Sequence, residues 1–551
     1  MKKYIYSLSI VILLTGSISC RKQLDTTPLD SFANETFWTT PQNVLIALTG
    51  VYRGNIQMLT IPATDVEFNP TDWWSYNGLL FTEFATDNVY DRRGDNSAYN
   101  TLTNGALTNS NANLSQVWNF SYGKIARCNY FLENISKATS LDAKLLKRYM
   151  AEVRFIRACQ YFYLSQHFGS VPLVTKVLTK EEANTVKKAS VLEVQNYVES
   201  ELKTVIPDLP KYGAIPASEK GRASAQVAMA FLGRLYMAEQ KWADGAAVYK
   251  QIIDYNENII DPKFSSLFDG TNESSKEIIF ATQYQQDLGP NSMLLHMYPA
   301  ALGGYHLSNP LGNLAESYEF NDGTPFSFTD PRYNPADLGQ NRDPRLKYTL
   351  LYNGQLFKNI IYDCHPDHTS SPDQLTTSKQ ATRTGFAPRK FLAETFGGSN
   401  LANSGIDLPI IRYAEVLLSY LECQLEAGSA IDQTLLDATI NKVRGRADVS
   451  MPKVTETNPA NLRTILRRER RNELALEGIR LWDLLRWKIA GTVLKGNFYG
   501  AAYPGATNLR KNGTTVDPYS RWFVTSKNFR TGQDELWPIP LSEVSINPNL
   551  K

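Results

Sequence analysis

The chain has 551 residues, 42% apolar and 20% charged, a globular composition with length for one large core or two fused ones, which excludes a disordered or fibrous chain. Lys plus Arg number 57 against 55 Asp plus Glu, and loss of the first nineteen residues, with Lys2 and Lys3, leaves the two signs balanced. Phosphate contacts dominate nucleic-acid affinity, so a chain without a basic excess is not read as a nucleic-acid binder.

The first element is a leader. Lys2 and Lys3 precede an apolar run from Ile5 to Leu14, and Gly16-Ser17-Ile18-Ser19-Cys20 ends it in small residues. The run falls short of the roughly 20 apolar residues a membrane-spanning helix needs, and it has the layout of an export signal. Cys20 after a small residue resembles a bacterial lipobox, with Ser17 where a Leu is usual. Residues 1–19 are therefore expected to be removed and Cys20 lipidated, with Arg21 after it favouring the outer membrane. The alternative is plain secretion with a free Cys20. Several acyl chains hold far more tightly than one, since each buried methylene contributes about 0.8 kcal/mol.

Residues 20–35 read as a tether and 36–551 as the folded domain. Thr40 and Pro41 form a helix start, followed by Val44, Leu48, Val51 and Tyr52 at helical spacing. Residues 60–113 lose that period and read as long ordered loops. Helices are predicted from Leu114, with Trp118, Tyr122, Ile125 and Asn129 on one face, and over Leu141–Phe168, stopped by Gly169, Ser170 and Pro172. Residues 190–255 are strongly helical. Within them Leu232-Gly233-x-x-Tyr236, with Gly245 and Tyr249, matches the spacing of a tetratricopeptide helix pair, in which the Gly permits close contact while Leu and Tyr fill the seam. A second pair is predicted over Ile411–Arg446 and a further helix over Leu462–Ala490. Between them, residues 256–408 are dense in Gly, Pro, Asn and aromatics. The fold class is thus mostly α: a tetratricopeptide-like scaffold at about 114–255 and 409–490, with a large irregular binding region at about 60–113 and 256–408, since ordered loops of that length are usually functional.

Cys128, Cys159 and Cys423 fall within apolar helical patterns and read as small buried hydrophobes, and the scattered cysteines suggest no disulfide framework. Cys364-His365-Pro366-Asp367-His368 is the one tight cluster of metal-capable groups; without remote ligands it reads as a chance grouping, and no metal or cofactor is expected. No Gly-x-Ser-x-Gly, His-Glu-x-x-His or Walker loop occurs, and only five His are present. No catalytic residue is assigned, although a pair of carboxylates for glycoside hydrolysis cannot be recognised from spacing alone. Glu473, Glu477 and Arg480, and Arg470 with Glu473, lie three or four apart, as Glu152 lies near Arg154 and Arg157; they read as ion pairs that fix helix packing.

Several segments in order resemble the SusD/RagB family: Leu24-Asp25 to Pro28; Phe37-Trp38 with Leu48-Thr49-Gly50-Val51-Tyr52; Ala151-Glu152-Val153-Arg154-Phe155-Ile156-Arg157-Ala158 running to Phe168-Gly169-Ser170-Val171-Pro172; Arg412-Tyr413-Ala414-Glu415; Arg468-Glu469-Arg470-Arg471-Asn472-Glu473 with Glu477 to Trp487; and Trp537-Pro538-Ile539-Pro540. The resemblance implies a mostly helical fold, an outer-membrane lipoprotein on the cell surface, an oligosaccharide ligand, and a SusC-like TonB-dependent transporter as partner. A peptide ligand is the alternative, and an envelope glycoside hydrolase a more distant one.

Flat rings with Asp, Asn and Arg complement the C–H faces and hydroxyl rim of sugars. Residues 72–99 supply that mixture: Asp72, Trp73, Trp74, Tyr76, Asp87, Asn88, Tyr90, Arg92, Arg93 and Tyr99, with Tyr284, Tyr298 and Tyr305 as a second set. The ligand-binding residues expected from sequence are Trp73, Trp74, Tyr76, Asp87, Arg93, Tyr99, Tyr284, Tyr298 and Tyr305.

Overall fold

The computed structural model describes residues 37–53 and 72–551. The leader, Cys20, the tether and the first loop region up to residue 71 lie outside the described residues.

The first helix, α1 (Pro41–Arg53), begins where Thr40 Oγ1 accepts from the Asn43 amide at 3.2 Å, and it buries Val44, Leu48 and Val51. Helix α2 (Ala112–Asn134) starts two residues before the expected Leu114, because the Asn111 side chain caps it at the Asn113 amide, 2.9 Å away. Helix α3 (Ala143–Phe168) is capped by Asp142 and ends at Gly169, whose φ of +72° suits glycine. A Ser190–Glu193 capping box opens α4 (Val191–Val205). Helices α5 (Ala225–Ala238), α6 (Trp242–Asp254), α7 (Tyr413–Glu426) and α8 (Pro459–Glu473) complete the scaffold, and each from α2 to α8 packs on the one before it.

The tetratricopeptide spacing has its expected basis. A Cβ on Gly233 of α5 would stand 2.5 Å from the Tyr249 ring of α6, and one on Gly245 would stand 2.9 Å from Cys423 Sγ of α7. The helices therefore approach as closely as they do because both positions lack a side chain.

Two predicted helices are broken. The segment after α7 forms two short helices, Gln433–Ala438 and Ile440–Arg444, interrupted at Thr439. The helix expected over Leu462–Ala490 ends with Glu473 and resumes as α9 (Arg480–Arg486). Between them Leu476 and Gly478 take φ of +64° and +74°. A Cβ on Gly478 would lie 2.4 Å from the Leu79 carbonyl oxygen, so this turn presses against the first loop region.

Residues 256–408 carry only short elements, none of their helices longer than the six residues of Gly312–Ser317. Antiparallel strand pairs tie this region together: β1 (Val89–Asp91) pairs with β3 (Ser308–Pro310), β2 (Ile278–Thr282) with β6 (Leu408–Arg412), β4 (Leu350–Tyr352) with β5 (Phe386–Pro388), and β7 (Lys495–Ala502) with β8 (Arg521–Asn528). The pairings β1–β3 and β2–β6 join segments far apart in sequence: the first ties the two loop regions to each other, and the second closes the 256–408 segment at the start of α7.

The charged C-terminal block is structural, and most of its pairs run between elements, while Arg486 with Asp483 at 2.8 Å runs along α9. Glu473 receives Arg446 at 2.7 Å, Arg412 at 3.0 Å and Arg345 at 3.1 Å. Burial alone would raise its carboxyl, and the three guanidinium groups outweigh burial and hold it well below the usual range. Glu477 pairs with Arg412 and Lys390, and Arg470 with Asp483. In α3, Glu152 pairs with Arg148 and Arg222, whereas Arg154 and Arg157 both reach Glu201 of α4.

Candidate ligand-binding cleft

The first loop region does not form the expected platform. Every residue from 73 to 91 is buried. Trp73 donates to Ser121 Oγ at 2.9 Å and stacks on Tyr163 and His167, each with ring centroids 4.9 Å away. The interior void it lines, about 30 Å³, has room for a water and none for a sugar ring. Trp74 packs edge-on to Phe280 at 5.1 Å with the Lys124 ammonium over its ring. Tyr76 bonds His296 Nδ1 at 3.0 Å, and Tyr99 donates to the Asn77 carbonyl at 2.9 Å. Asp87 is enclosed by Arg480 and Arg471. Tyr298 is buried and donates to the Ala393 carbonyl.

These six are therefore core residues in this structure, corrected from surface contacts. The cause is visible in their neighbours: Leu79, Leu80, Phe81, Phe84, Ala85 and Val89 interleave with the rings, and burying that much apolar area draws the polar groups in with it. Arg93 remains at the surface, held by Asp91 at 2.7 Å. Tyr284 and Tyr305 are half-buried, and neither lines the cleft described next.

A cleft of about 320 Å³ opens between the segment 312–353 and the β5 and β7 strands. One wall is aromatic: Phe326, Phe328 and Tyr333 meet edge to face, with centroids 4.9–5.5 Å apart. Tyr519 stacks on Phe328 at 4.6 Å and 16° and is 40% exposed. The Arg342 guanidinium lies 3.8 Å from the Phe326 centroid and donates to the carbonyls of Ala315 and Tyr318, which fixes that ring from beneath. Opposite stand Tyr352, Tyr503 and His365, with His365 edge-on to Tyr503 at 5.2 Å.

The floor is Gly312, Gly500, Ala501 and Ala502. A Cβ on Gly500 would lie 2.0 Å from the Thr384 carbonyl oxygen, so glycine is what lets β7 approach closely enough for Ala501 N to donate to Thr384 O at 2.7 Å. Small floor residues beneath large rings produce the concavity.

Polar groups are few and placed. Glu316 is the only carboxylate among the lining residues, and Arg521 engages it at 3.0 Å while also holding Asp517 at 2.9 Å. Burial pushes the Cys364 thiol up to about 12; its Sγ lies 3.2 Å from both Gly385 O and Tyr503 OH, so it is no nucleophile. His368 bonds Asp363 at 2.8 Å, and Asp367 accepts from the amides of Thr507 and Asn508, so the metal-capable cluster is directed apart. No group of three His, Cys, Asp or Glu suited to a metal forms among the described residues.

The cleft rings lie outside the ligand-binding residues expected from sequence, although the sequence carries a signal for them. Residues 320–341 carry Phe320, Phe326, Phe328 and Tyr333 amid Asp, Asn, Pro and Gly, with Leu338 the only branched aliphatic. Rings with so little aliphatic company build little core: Phe320 is buried with Arg332 and Arg342 over its ring, while Phe326, Phe328 and Tyr333 stay partly exposed.

Comparison with known proteins shows what the chain as a whole is similar to. The family profile described as SusD family matches residues 266–551, and one described as starch-binding, associating with outer membrane, matches residues 72–237. A crystal structure of a SusD-like carbohydrate-binding protein from Bacteroides fragilis is 46% identical, covers 94% of this chain and 100% of its own, and superposes with a TM-score of 0.90. The starch-binding protein SusD of Bacteroides thetaiotaomicron is 23% identical over 100% of this chain and 98% of its own. Surface glycan-binding protein A of the same species, solved with laminarihexaose, has the same fold at 20% identity, with a TM-score of 0.67 over 93% of this chain and 99% of its own.

Proposed function

The chain belongs to the SusD family, and from that premise we propose that it is a surface-exposed lipoprotein that binds an oligosaccharide in the Phe326–Phe328–Tyr333 cleft and passes it to a SusC-like TonB-dependent transporter. The observation that carries this reading is the ring wall. Three mutually braced rings and the stacked Tyr519 offer flat apolar surface beside water, and sugar C–H faces need such a surface. Glu316 and His365 supply polar contacts at the rim. Relatives are described as binding starch and laminarihexaose, which supports a glycan as the ligand class. The leader and Cys20 support a lipid anchor.

Binding without hydrolysis fits the lining. Glycosidases use two carboxylates about 5 to 9.5 Å apart, whereas the one lining carboxylate is engaged by Arg521. A capture protein must also release its ligand, so a dissociation constant between micromolar and millimolar, about −8 to −4 kcal/mol, suits the task.

The test is calorimetry of the mature protein against a panel of glycans and peptides, with the panel analysed afterwards for cleavage. Binding of intact glycan supports the reading. Binding of peptides alone, or cleavage lost on Glu316→Gln, refutes it. Retention in the membrane fraction that Cys20→Ala abolishes, and co-purification with a barrel from detergent extracts, test the anchor and the partner.

A further inference from the structure

Around Tyr90 of β1 three arginines arrive from three separate segments. Arg92 lies two residues further along the same strand face and continues the ladder, its amide donating to Leu307 O at 3.0 Å. Arg383 donates its amide to Asn309 Oδ1, and Asn309 is the residue paired with Tyr90 across β1–β3. The carbonyl of Arg510 accepts from the Phe523 amide of β8 at 3.0 Å, and its guanidinium lies 5.5 Å from the Phe523 ring. Thr525, two residues on, shares Asp95 Oδ1 with the Tyr90 hydroxyl, at 2.7 and 2.9 Å, which ties β8 to Tyr90.

The Arg383 guanidinium feels both of the others. Arg383 is depressed by burial and then by Arg92 and Arg510, and His306 by burial and then by Arg92 and Arg383. All three arginines are half-buried. The neighbouring carboxylates are taken: Asp91 holds Arg93 through both oxygens, and Asp95 accepts from Tyr90 and Thr525. Among the described residues none of the three has a carboxylate within ion-pair distance, and Arg92 Nε is buried without a partner. Arg383 Nη1 is anchored on the carbonyls of Thr376 and Lys379.

Other buried arginines of this protein meet carboxylates, as at Arg345, Arg412, Arg446 and Arg486, while Arg342 rests on carbonyls and the Phe326 ring. Three like charges drawn together and left unpaired cost stability unless an anion completes them. A guanidinium presents a planar fork that fits a carboxylate or a sulfate ester. A row of side chains joins this cluster to the cleft: Phe523 lies 5.9 Å from Tyr499, Arg521 lies 4.6 Å from Tyr499, and Arg521 holds the cleft's Glu316.

We infer that Arg92, Arg383 and Arg510 form an anion subsite, and that the oligosaccharide is acidic, its carboxylate or sulfate ester seated among them. The inference rests on the glycan-binding reading and adds the charge class of the ligand. Calorimetry of the mature protein with an oligogalacturonate, a sulfated carrageenan oligosaccharide and neutral laminarihexaose tests it, at low and high salt. The subsite predicts that an acidic probe binds more tightly than the neutral one and weakens with salt. It also predicts that Arg383→Gln and Arg92→Gln weaken the acidic probe by about tenfold more than the neutral one. Which acidic probe binds distinguishes carboxylate from sulfate. Melting temperatures serve as the folding control: Arg92→Gln should hold or rise, because a repulsive charge is removed, whereas Arg383→Gln also loses the bonds to Thr376 and Lys379 and should fall modestly, so its binding is read well below its melting temperature. Binding of the neutral probe alone, or acidic binding that both variants leave intact, overturns the inference while the glycan reading stands. Silence of all three probes while peptides bind overturns both.

Discussion

Asp87 and Arg480 meet as a buried bidentate pair, Arg480 Nε donating to Asp87 Oδ1 at 2.9 Å and Nη2 to Oδ2 at 3.0 Å. Arg471 adds a contact to Oδ2 at 2.8 Å. The pair fastens the first loop region to the C-terminal turn, where the Gly478 amide also donates to Glu83 at 3.0 Å. Burial alone would raise the Asp87 carboxyl; Arg471 and Arg480 reverse this and hold it well below the usual range.

Asp87→Ala should therefore cost about 3–5 kcal/mol, because it leaves two buried guanidinium groups unpaired. Urea denaturation at neutral pH reads this directly. The sign with pH follows from the lowered carboxyl: the stabilisation is present above about pH 4 and is lost as pH falls toward the folded-state value. The deficit of the variant should narrow in acid. A variant as stable as the parent at pH 7 contradicts the assignment of Asp87 to the core.

Trp73→Ala and Trp74→Ala should each lower stability by about 3–5 kcal/mol, the range for a large buried ring. Thermal melts paired with glycan titration separate this from a role in binding. An unchanged melting temperature with lost binding would return these rings to the ligand site.

His167, like His306, is a buried imidazole whose protonation opposes folding. Its ring lies between Trp73 and Trp537, at 4.9 and 4.4 Å, its Nδ1 has no partner, and burial pushes it down to about 3. The unfolded chain binds that proton near pH 6.5, so the folded state is penalised as pH falls below that value, by about 1.4 kcal/mol per unit. His167→Phe keeps the stacking and removes the titration. Relative to the parent it should gain about 2 kcal/mol between pH 6.5 and 5. Other groups, such as Glu83 raised to about 7 by burial, act in the opposite direction and cancel in this difference. Parallel stability curves for the two proteins would contradict it.

Gly233→Ala should destabilise by about 1–3 kcal/mol through overpacking, since the added Cβ would meet the Tyr249 ring at 2.5 Å. Tyr249→Leu in the same background should recover part of the loss. No recovery would mean that the contact between α5 and α6 is not the cause.

Phe328→Ala and Tyr519→Ala are expected to weaken glycan binding by about 2 kcal/mol, roughly thirtyfold, if each ring is a principal contact. Tyr519 is 40% exposed, so its variant should melt with the parent. Equal glycan affinity in both variants would move the ligand elsewhere.

The amino-acid sequence by itself determined most of the helices, though not the breaks at Thr439 and after Glu473, since capping residues, apolar spacing and a terminal glycine act within a few residues of one another. Asp142 and Gly169 bound α3, and Gly233 with Tyr249 marks the close helix pair, all from local chemistry. It also determined the family, because the matching segments run in order along the chain. Only the tertiary structure decided which aromatic residues face water. Trp73 and Phe328 are both rings in polar-rich loops, yet one stacks on α3 and the other on an exposed Tyr519. Burial of a loop ring depends on what folds over it from elsewhere, here Trp537 and the Gly478 turn, hundreds of residues away. The same holds for Arg92, Arg383 and Arg510: strand pairing assembles them, and no spacing within any one segment announces that three unpaired charges will meet.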